Sequence, residues 1–142
     1  MGLTLKAVVQ CNERCPACYE KAIPALWGDG PVSYEMAKIR AGITEWATDY
    51  KKRWPAEKPE ITFHGGEPLL MKVGDMEDLF QLCKDLGVSI SIQTNATMVT
   101  DRHILAFKTW DVGVGISLDG PWPLGRSRQL VQNPENDPNV MM

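Results

Sequence analysis

Apolar and polar positions alternate along the chain in a way that predicts four strands separated by helices. Residues 3–9 are nearly all apolar, which is typical of a parallel strand that is covered on both faces. Residues 59–64 predict a second strand that begins with proline, a position where the missing N–H is tolerated. Residues 88–93 and 112–118 alternate strictly between apolar side chains and small or polar ones, which predicts two more strands.

Three stretches with apolar side chains at helical spacing lie between these strands. In residues 36–50 the apolar positions recur every three or four residues, and Ser33 is the predicted N-cap. A second helix is predicted from Asp75 up to Gly87, which suits the position after a helix end. A short third helix is predicted over residues 100–108. This order predicts an α/β fold with a parallel sheet and right-handed crossovers.

The fourth predicted strand has one apolar face and one face of small or polar residues. Residues 89–95 repeat this polarity in the third strand. The apolar face suits covering helices, and the opposite face predicts a cavity for a polar ligand. Sites in parallel α/β folds lie at the carboxyl ends of the strands. The residues that follow the four strands there are 11–18, 65–67, 94–95 and 119–120.

Three cysteines follow the first strand at a C-x3-C-x2-C spacing: Cys11, Cys15 and Cys18. Thiolates select zinc, copper(I) or iron–sulfur clusters. Three ligands are one short of a closed tetrahedral set, so a metal centre held here would keep one position open.

Two other interpretations of these cysteines stay open. Cys15 and Cys18 have the C-x-x-C spacing of a thioredoxin-like redox pair, which leaves Cys11 without a role. A structural zinc site needs a fourth ligand. The candidates for that ligand are His64, His103 and Cys83.

Composition narrows the possible functions. The chain has 142 residues, of which 44% are hydrophobic, so it holds one domain at most, with enough apolar material for a core. Its formal charge is −3 and its Lys and Arg are scattered, which argues against nucleic-acid binding. The longest apolar runs are strand-sized, which argues against a membrane span. Clustered cysteines without an export signal favour metal over disulfides and a cytoplasmic location.

The cysteine spacing, together with residues 63–70, resembles the signature of the radical S-adenosylmethionine (SAM) enzymes. Residues 93–95 and 116–120 are similar to motifs after the third and fourth strands in the branch that modifies peptides and proteins, including the anaerobic sulfatase-maturing and SPASM-type enzymes. The resemblance covers roughly residues 3–122, the first two thirds of a radical SAM core.

The resemblance implies a partial parallel (β/α) barrel of about four βα units that binds a [4Fe–4S] cluster and SAM. It implies reductive cleavage of SAM to a 5′-deoxyadenosyl radical that abstracts hydrogen from a peptide or protein. No residue is identified as catalytic acid, base or radical relay. The implied iron ligands are Cys11, Cys15 and Cys18. The implied SAM-binding residues are Gly65, Gly66 and Glu67, with Asn95, Ser117 and Asp119 as further contacts to SAM or substrate.

Two features depart from the family pattern. Ala17 occupies the position where the family usually has an aromatic residue near the adenine, although Tyr19 follows closely. The family barrel has six βα units, whereas four are predicted here. We therefore expect residues 1–142 to be a single incomplete core domain with an irregular tail, 121–142, completed by a longer protein or a second chain. The alternative is a non-catalytic fragment or degenerate domain that binds iron–sulfur or zinc.

Overall fold

A computed structural model of the protein describes residues 2–23 and 31–120. Four parallel strands form one sheet in chain order, which confirms the predicted α/β fold. The strands are β1 Gly2–Val8, β2 Glu60–Gly65, β3 Ser89–Thr94 and β4 Gly113–Ile116. The helices are α1 Met36–Arg53, α2 Val73–Asp85 and α3 Asp101–Thr109. The predicted irregular tail, 121–142, lies outside the described residues.

Two helices begin at residues other than the predicted caps. The residue before α1 is Glu35 instead of Ser33, and the residue before α2 is Lys72 instead of Asp75. Asp75 lies in the first turn of α2, where its carboxylate accepts a hydrogen bond from the Tyr34 hydroxyl (2.6 Å). The Asp75 side chain therefore makes a tertiary hydrogen bond, whereas its local helix-capping preference predicted a bond to the backbone of α2.

The cap of α3 is the one that the sequence predicted. Thr100 accepts a hydrogen bond from the backbone N–H of His103, and the His103 ring accepts one from the Thr100 N–H. This reciprocal arrangement is a capping box with histidine at the third helical position. None of the described helices is both long enough and apolar enough to cross a membrane.

The helices cover one face of the sheet. Apolar side chains of β2 and β3 point into the core there, and the rings of Phe63 and Phe80 meet edge to face with centroids 5.4 Å apart. On β1, Thr4 and Lys6 are exposed, so the prediction of a first strand covered on both faces is wrong for the described chain. Exposed and partly buried residues alternate along β1, because no described helix lies over its other face.

The opposite face of the sheet is polar, as the alternation predicted. Thr62 and Ser91 share a hydrogen bond across β2 and β3 (2.8 Å). Nε2 of Gln93 donates to Oγ of Ser117, which follows β4 (2.8 Å). A row of small and polar side chains therefore runs towards the carboxyl edge of the sheet.

The apolar face of β4 differs from the prediction. Val114 and Ile116 are 46% and 52% exposed, so the helices do not cover them. The core of this region ends at Val112, which lies beside Phe107 of α3. An open groove of about 450 Å³, lined largely by apolar side chains, lies between α3 and β4.

Candidate functional site

The cysteine loop begins directly after β1, at the carboxyl edge of the sheet. The backbone N–H of Cys18 donates to the carbonyl of Cys15 (3.0 Å), which turns the second half of the loop back on itself. The sulfur of Cys11 accepts a hydrogen bond from the backbone N–H of Glu13 (3.4 Å). All three cysteines are half-buried free thiols, so Cys15 and Cys18 do not form a disulfide.

Burial, with smaller contributions from the carboxylates of Glu67 and Glu13, raises the pKa of the Cys11 thiol to about 11, although the hydrogen bond from the Glu13 N–H lowers it. Glu13 is itself buried within the loop. Without a metal, Cys11 is therefore protonated at neutral pH. A bound metal would displace this proton, because a thiolate is the ligand. The acidic surroundings suit a site that receives a cation.

The donor set fits a soft metal or an iron–sulfur cluster, since three thiols lie within eight residues of one loop. Among residues 2–23 and 31–120, no three His, Cys, Asp or Glu side chains are already arranged around a common point. Cys83 is fully buried in the helix–sheet core, and burial raises the pKa of its thiol to about 12.

Gly65, the last residue of β2, and Gly66, which follows it, bring the carboxyl end of β2 against the end of β1. Gly66 donates its N–H to the carbonyl of Val8 (3.1 Å), and the next residue donates to the carbonyl of Gln10 (2.9 Å). A Cβ atom on Gly66 would overlap the carbonyl oxygens of Val9 and Gln10. Gly65 has a φ of 125°, which L side chains rarely adopt. The glycines thus hold the cysteine loop and this turn side by side.

Glu67 is 1% exposed, and its carboxylate is bonded within the protein. It accepts hydrogen bonds from the N–H of Leu69 (2.9 Å), the hydroxyl of Thr94 (2.6 Å) and the N–H of Asn95 (2.8 Å). Burial raises the pKa of Glu67, and the three donors oppose that shift. The sequence analysis assigned Glu67 to SAM binding, whereas here its carboxylate ties the end of β2 to the end of β3.

The three further candidates lie at the ends of β3 and β4. Asn95 is buried, and its side chain is hydrogen-bonded at both its oxygen and its nitrogen. Ser117 is half-buried, and its N–H donates to the carbonyl of Thr94 (2.8 Å). Asp119 is exposed. The structure therefore brings Gly66, Glu67 and Asn95 into contact with each other or with the cysteine loop.

An aromatic and charged group beside the cysteines was not predicted. The ring of Tyr19 packs against His64 with centroids 5.9 Å apart, and its hydroxyl lies 3.2 Å from Nδ1 of that histidine. The ammonium of Lys6 lies 5.6 Å from the Tyr19 centroid and forms an ion pair with buried Glu20. Lys6 and His64 are register partners on β1 and β2, so their side chains point to the same face of the sheet. This shared face is the sequence feature that could have predicted the group.

Comparison with known families gives a match along nearly the whole chain. The sequence profile of the radical SAM superfamily matches residues 6–138. A serine-type anaerobic sulfatase-maturating enzyme from Bacteroides thetaiotaomicron is 26% identical over 78% of this chain and 27% of its own length. An S-adenosylmethionine-dependent nucleotide dehydratase from Lacinutrix mariniflava is 31% identical over 77% of this chain and 21% of its own length.

The fold is also found among solved structures. Native anSMEcpe with bound AdoMet and Cp18Cys peptide superimposes with a TM-score of 0.71 at 21% identity, over 92% of this chain and 35% of that chain. The chain spans about a fifth to two fifths of the length of the curated relatives reported above and of three further relatives.

Proposed function

The chain belongs to the radical SAM superfamily, and on that premise we propose that it binds a [4Fe–4S] cluster and SAM and serves the radical modification of a peptide or protein. One observation carries the proposal: the cysteine loop and the Gly65–Gly66 turn are joined by backbone hydrogen bonds at the carboxyl edge of the sheet. A cluster and a small ligand bound at these two motifs would be neighbours.

Each motif has a distinct task in this proposal. When bound, the cluster and SAM supply one-electron cleavage of the sulfonium and a 5′-deoxyadenosyl radical. Cys11, Cys15 and Cys18 hold iron and leave one iron open. The backbone carbonyls at Gly65 and Gly66 would accept hydrogen bonds from the amino group of SAM. The chain's contribution is to orient these groups on a polar face.

The remaining predicted residues take supporting or outer positions. Glu67 holds the turn through the buried hydrogen bonds described above, so its effect on SAM is indirect. Ser117 and Asp119, which follow β4, are the side chains that we propose to meet SAM or substrate. Tyr19 presents an aromatic ring beside the third cysteine, whereas Ala17 is exposed and offers a methyl group alone.

The metal assignment is tested by anaerobic reconstitution. We expect about four irons per chain, and a loss of iron when Cys11, Cys15 or Cys18 is changed to alanine. Cys83→Ala is the matched control, because Cys83 acts as a small apolar residue in the core. Loss of iron in Cys83→Ala with retention in Cys11→Ala would contradict the assignment, and a colourless protein with bound zinc would favour a structural site.

SAM binding is tested by electron paramagnetic resonance of the reduced cluster. Adding SAM should change the spectrum, and Ser117→Ala should raise the SAM concentration that is needed, by about tenfold for one lost hydrogen bond of ordinary strength. An unchanged spectrum of the parent chain at saturating SAM would remove catalysis from the proposal.

The proposal of a peptide substrate rests on the sulfatase-maturating relative. The nucleotide dehydratase relative suggests a nucleotide as the alternative substrate class. Formation of 5′-deoxyadenosine should be stimulated by a serine- or cysteine-containing peptide more than by a nucleotide. Stimulation by the nucleotide alone would replace the peptide in the proposal. We also propose a cytoplasmic location, supported by four free cysteines.

The exposed apolar side of β4 supports the proposal that further βα units, from a longer chain or a second chain, complete the site. Val114, Ile116 and Leu118 are each 46–52% exposed, although alternation in the sequence suits them to a core. An isolated chain that remains a monomer and cleaves SAM at a rate typical of the family would contradict this. The same exposure favours the alternative of a non-catalytic metal-binding fragment, for which we expect iron binding without SAM cleavage.

A further inference from the structure

A closed ring of hydrogen bonds joins the cysteine loop to the loop that follows β3. Asn12 donates from Nδ2 to Oγ1 of Thr97 (2.7 Å) and accepts at Oδ1 from Nδ2 of Asn95 (2.9 Å). Thr97 donates from Oγ1 (2.7 Å) and from its backbone N–H (3.0 Å) to Oδ1 of Asn95. Each donor in the ring therefore faces an acceptor, and the three side chains hold one another in a single arrangement.

The ring is anchored to β2 through Glu67. The N–H of Asn95 donates to Oε2 of that carboxylate (2.8 Å), and the hydroxyl of Thr94 donates to Oε1 (2.6 Å). The Thr94 hydroxyl also accepts from the N–H of Ala96 (3.0 Å). The ring thus continues, through buried partners, into the turn that follows β2.

The loop after β3 has an unfavourable backbone conformation that this network sustains. Ala96 has a φ of 64°, in the left-handed region where a Cβ atom is costly. It lies between Asn95 and Thr97, both members of the ring. Strain of this kind persists where the surroundings determine the conformation, and such places cluster at functional sites.

Asn12 directly follows Cys11, so the ring acts on the first thiol of the loop. We propose that Asn12, Asn95 and Thr97 are positioning residues that hold the cysteine loop against β3. The identity of the group that the thiols bind depends on the proposed function. The hydrogen-bonded ring and its effect on the loop do not depend on it. Asn95 then acts on the thiols through Asn12, and a direct contact with SAM is not its main role.

The test uses substitutions that remove hydrogen bonds with little change of shape. Thr97→Val removes the hydroxyl that both accepts from Asn12 and donates to Asn95, and Thr97→Ser is the conservative variant that restores it. Thr48→Val is the matched control, because the Thr48 hydroxyl is exposed on α1 and donates to a carbonyl of its own helix. Asn12→Leu removes the amide from the other side of the ring.

The first readout is the rate at which iodoacetamide alkylates each cysteine of the metal-free 142-residue chain at fixed pH. We expect Thr97→Val and Asn12→Leu to accelerate alkylation of the three loop cysteines by about tenfold, the effect of about 1.4 kcal/mol. Thr97→Ser and Thr48→Val should match the parent. The double variant should be no faster than either single one, since both changes open the same ring.

Buried Cys83 reports general unfolding in the same measurement. Parent-like rates at the loop cysteines in both single variants would overturn the proposal, as would a hundredfold effect in the double variant. Equal acceleration at Cys83 would also overturn it, because the ring would then hold the whole domain and not the loop.

The second readout is the electron paramagnetic resonance spectrum of the reduced, reconstituted protein. Thr97→Val should broaden or shift the signal, and Thr97→Ser should restore it. An unaltered signal in Thr97→Val would overturn the claim that the ring positions the cluster ligands. If the parent chain forms no cluster at all, the proposed function fails, while the alkylation rates still decide whether the ring positions the loop.

Discussion

β3 and β4 are neighbouring strands with the same alternation of apolar and small or polar side chains, yet their surroundings differ. Ile92 of β3 and Val114 of β4 are register partners in the sheet. Ile92 is 1% exposed and Val114 is 46% exposed. Alternation therefore determines which way a side chain points, and the presence of a covering element determines whether it is buried.

The carboxyl ends of the two strands also differ in burial, and the end of β3 is again the more buried one. Thr94 and Asn95, at the end of β3, are buried and bound to Glu67. Ser117, after β4, is held by Gln93 and by the backbone of β3, and Asp119 is exposed. The half of the site near β1–β3 is thus cross-bonded, and the half near β4 is open to a further element or a ligand. We therefore expect substitutions in the cross-bonded half to cost more stability than substitutions in the open half.

The strongest test of the cross-bonded half is Gly66→Ala. The added Cβ would overlap backbone carbonyls at the end of β1, which cannot move without breaking the β1–β2 contact. We expect a loss of about 3 kcal/mol or more in the free energy of unfolding, the upper end of the cost of overpacking. Gly42→Ala, in α1 with nothing near its Cβ, should instead stabilise by up to about 1 kcal/mol. Denaturant unfolding of both variants measures this, and equal stabilities would contradict the described contact.

The paired strands are compared directly by Ile92→Ala and Val114→Ala. The first leaves a cavity in the core and should cost about 2–5 kcal/mol of unfolding free energy. The second removes an exposed side chain and should change stability by less than about 0.5 kcal/mol. Urea unfolding of the isolated chain gives both values. A large loss in Val114→Ala would mean that β4 is already covered in solution.

The link between β2 and β3 is tested by Glu67→Gln. The amide would place a donor against one of the three donors that the carboxylate accepts from, at a buried site. We expect a loss of about 1–3 kcal/mol of unfolding free energy. Glu77→Gln is the control, since Glu77 pairs with Arg102 near the surface and should cost no more than about 1 kcal/mol. Equal costs, measured by thermal or denaturant unfolding, would show that the buried link contributes little.

The smallest expected effect concerns α3, the helix between β3 and β4. Burial, and then the charge of Arg102, lower the pKa of His103 below its ordinary value of 6.5. The neutral ring accepts from Thr100, so its contribution to stability is complete above that ordinary pKa and is lost as the pH falls through the folded-state pKa. The loss should reach about 1 kcal/mol, typical of a helix cap.

His103→Gln keeps an acceptor at this position and removes the titration. Hydrogen exchange of α3 amides at pH 7 and at successively lower pH values should show acid-induced loosening in the parent and not in the variant. The amides of β2 and β3 should stay protected in both over the same pH range. If the β3 amides of the parent exchanged faster at low pH by as much as the α3 amides, the half near β1–β3 and the half near β4 would not open separately.

Much of the fold was predictable because it depends on local pattern. The order of strands and helices, the polar face of β3 and the Thr100 cap follow from side-chain spacing and cap preference along a few residues. The glycine pair at the end of β2 was also predictable, since a turn that admits no Cβ requires glycine. The proximity of the cysteine loop to that pair then followed from the parallel order of the strands.

Only the tertiary structure determined which side chains far apart in sequence contact each other. Asn12 and Asn95 meet across 83 residues, and Glu67 turns towards β3 although its charge alone suited a ligand. The exposed apolar face of β4 is a third case, because its sequence alternates as a covered strand does. Periodicity determines the direction of a side chain along one element. The atoms that it meets depend on how separate elements pack, which no single stretch of the chain encodes.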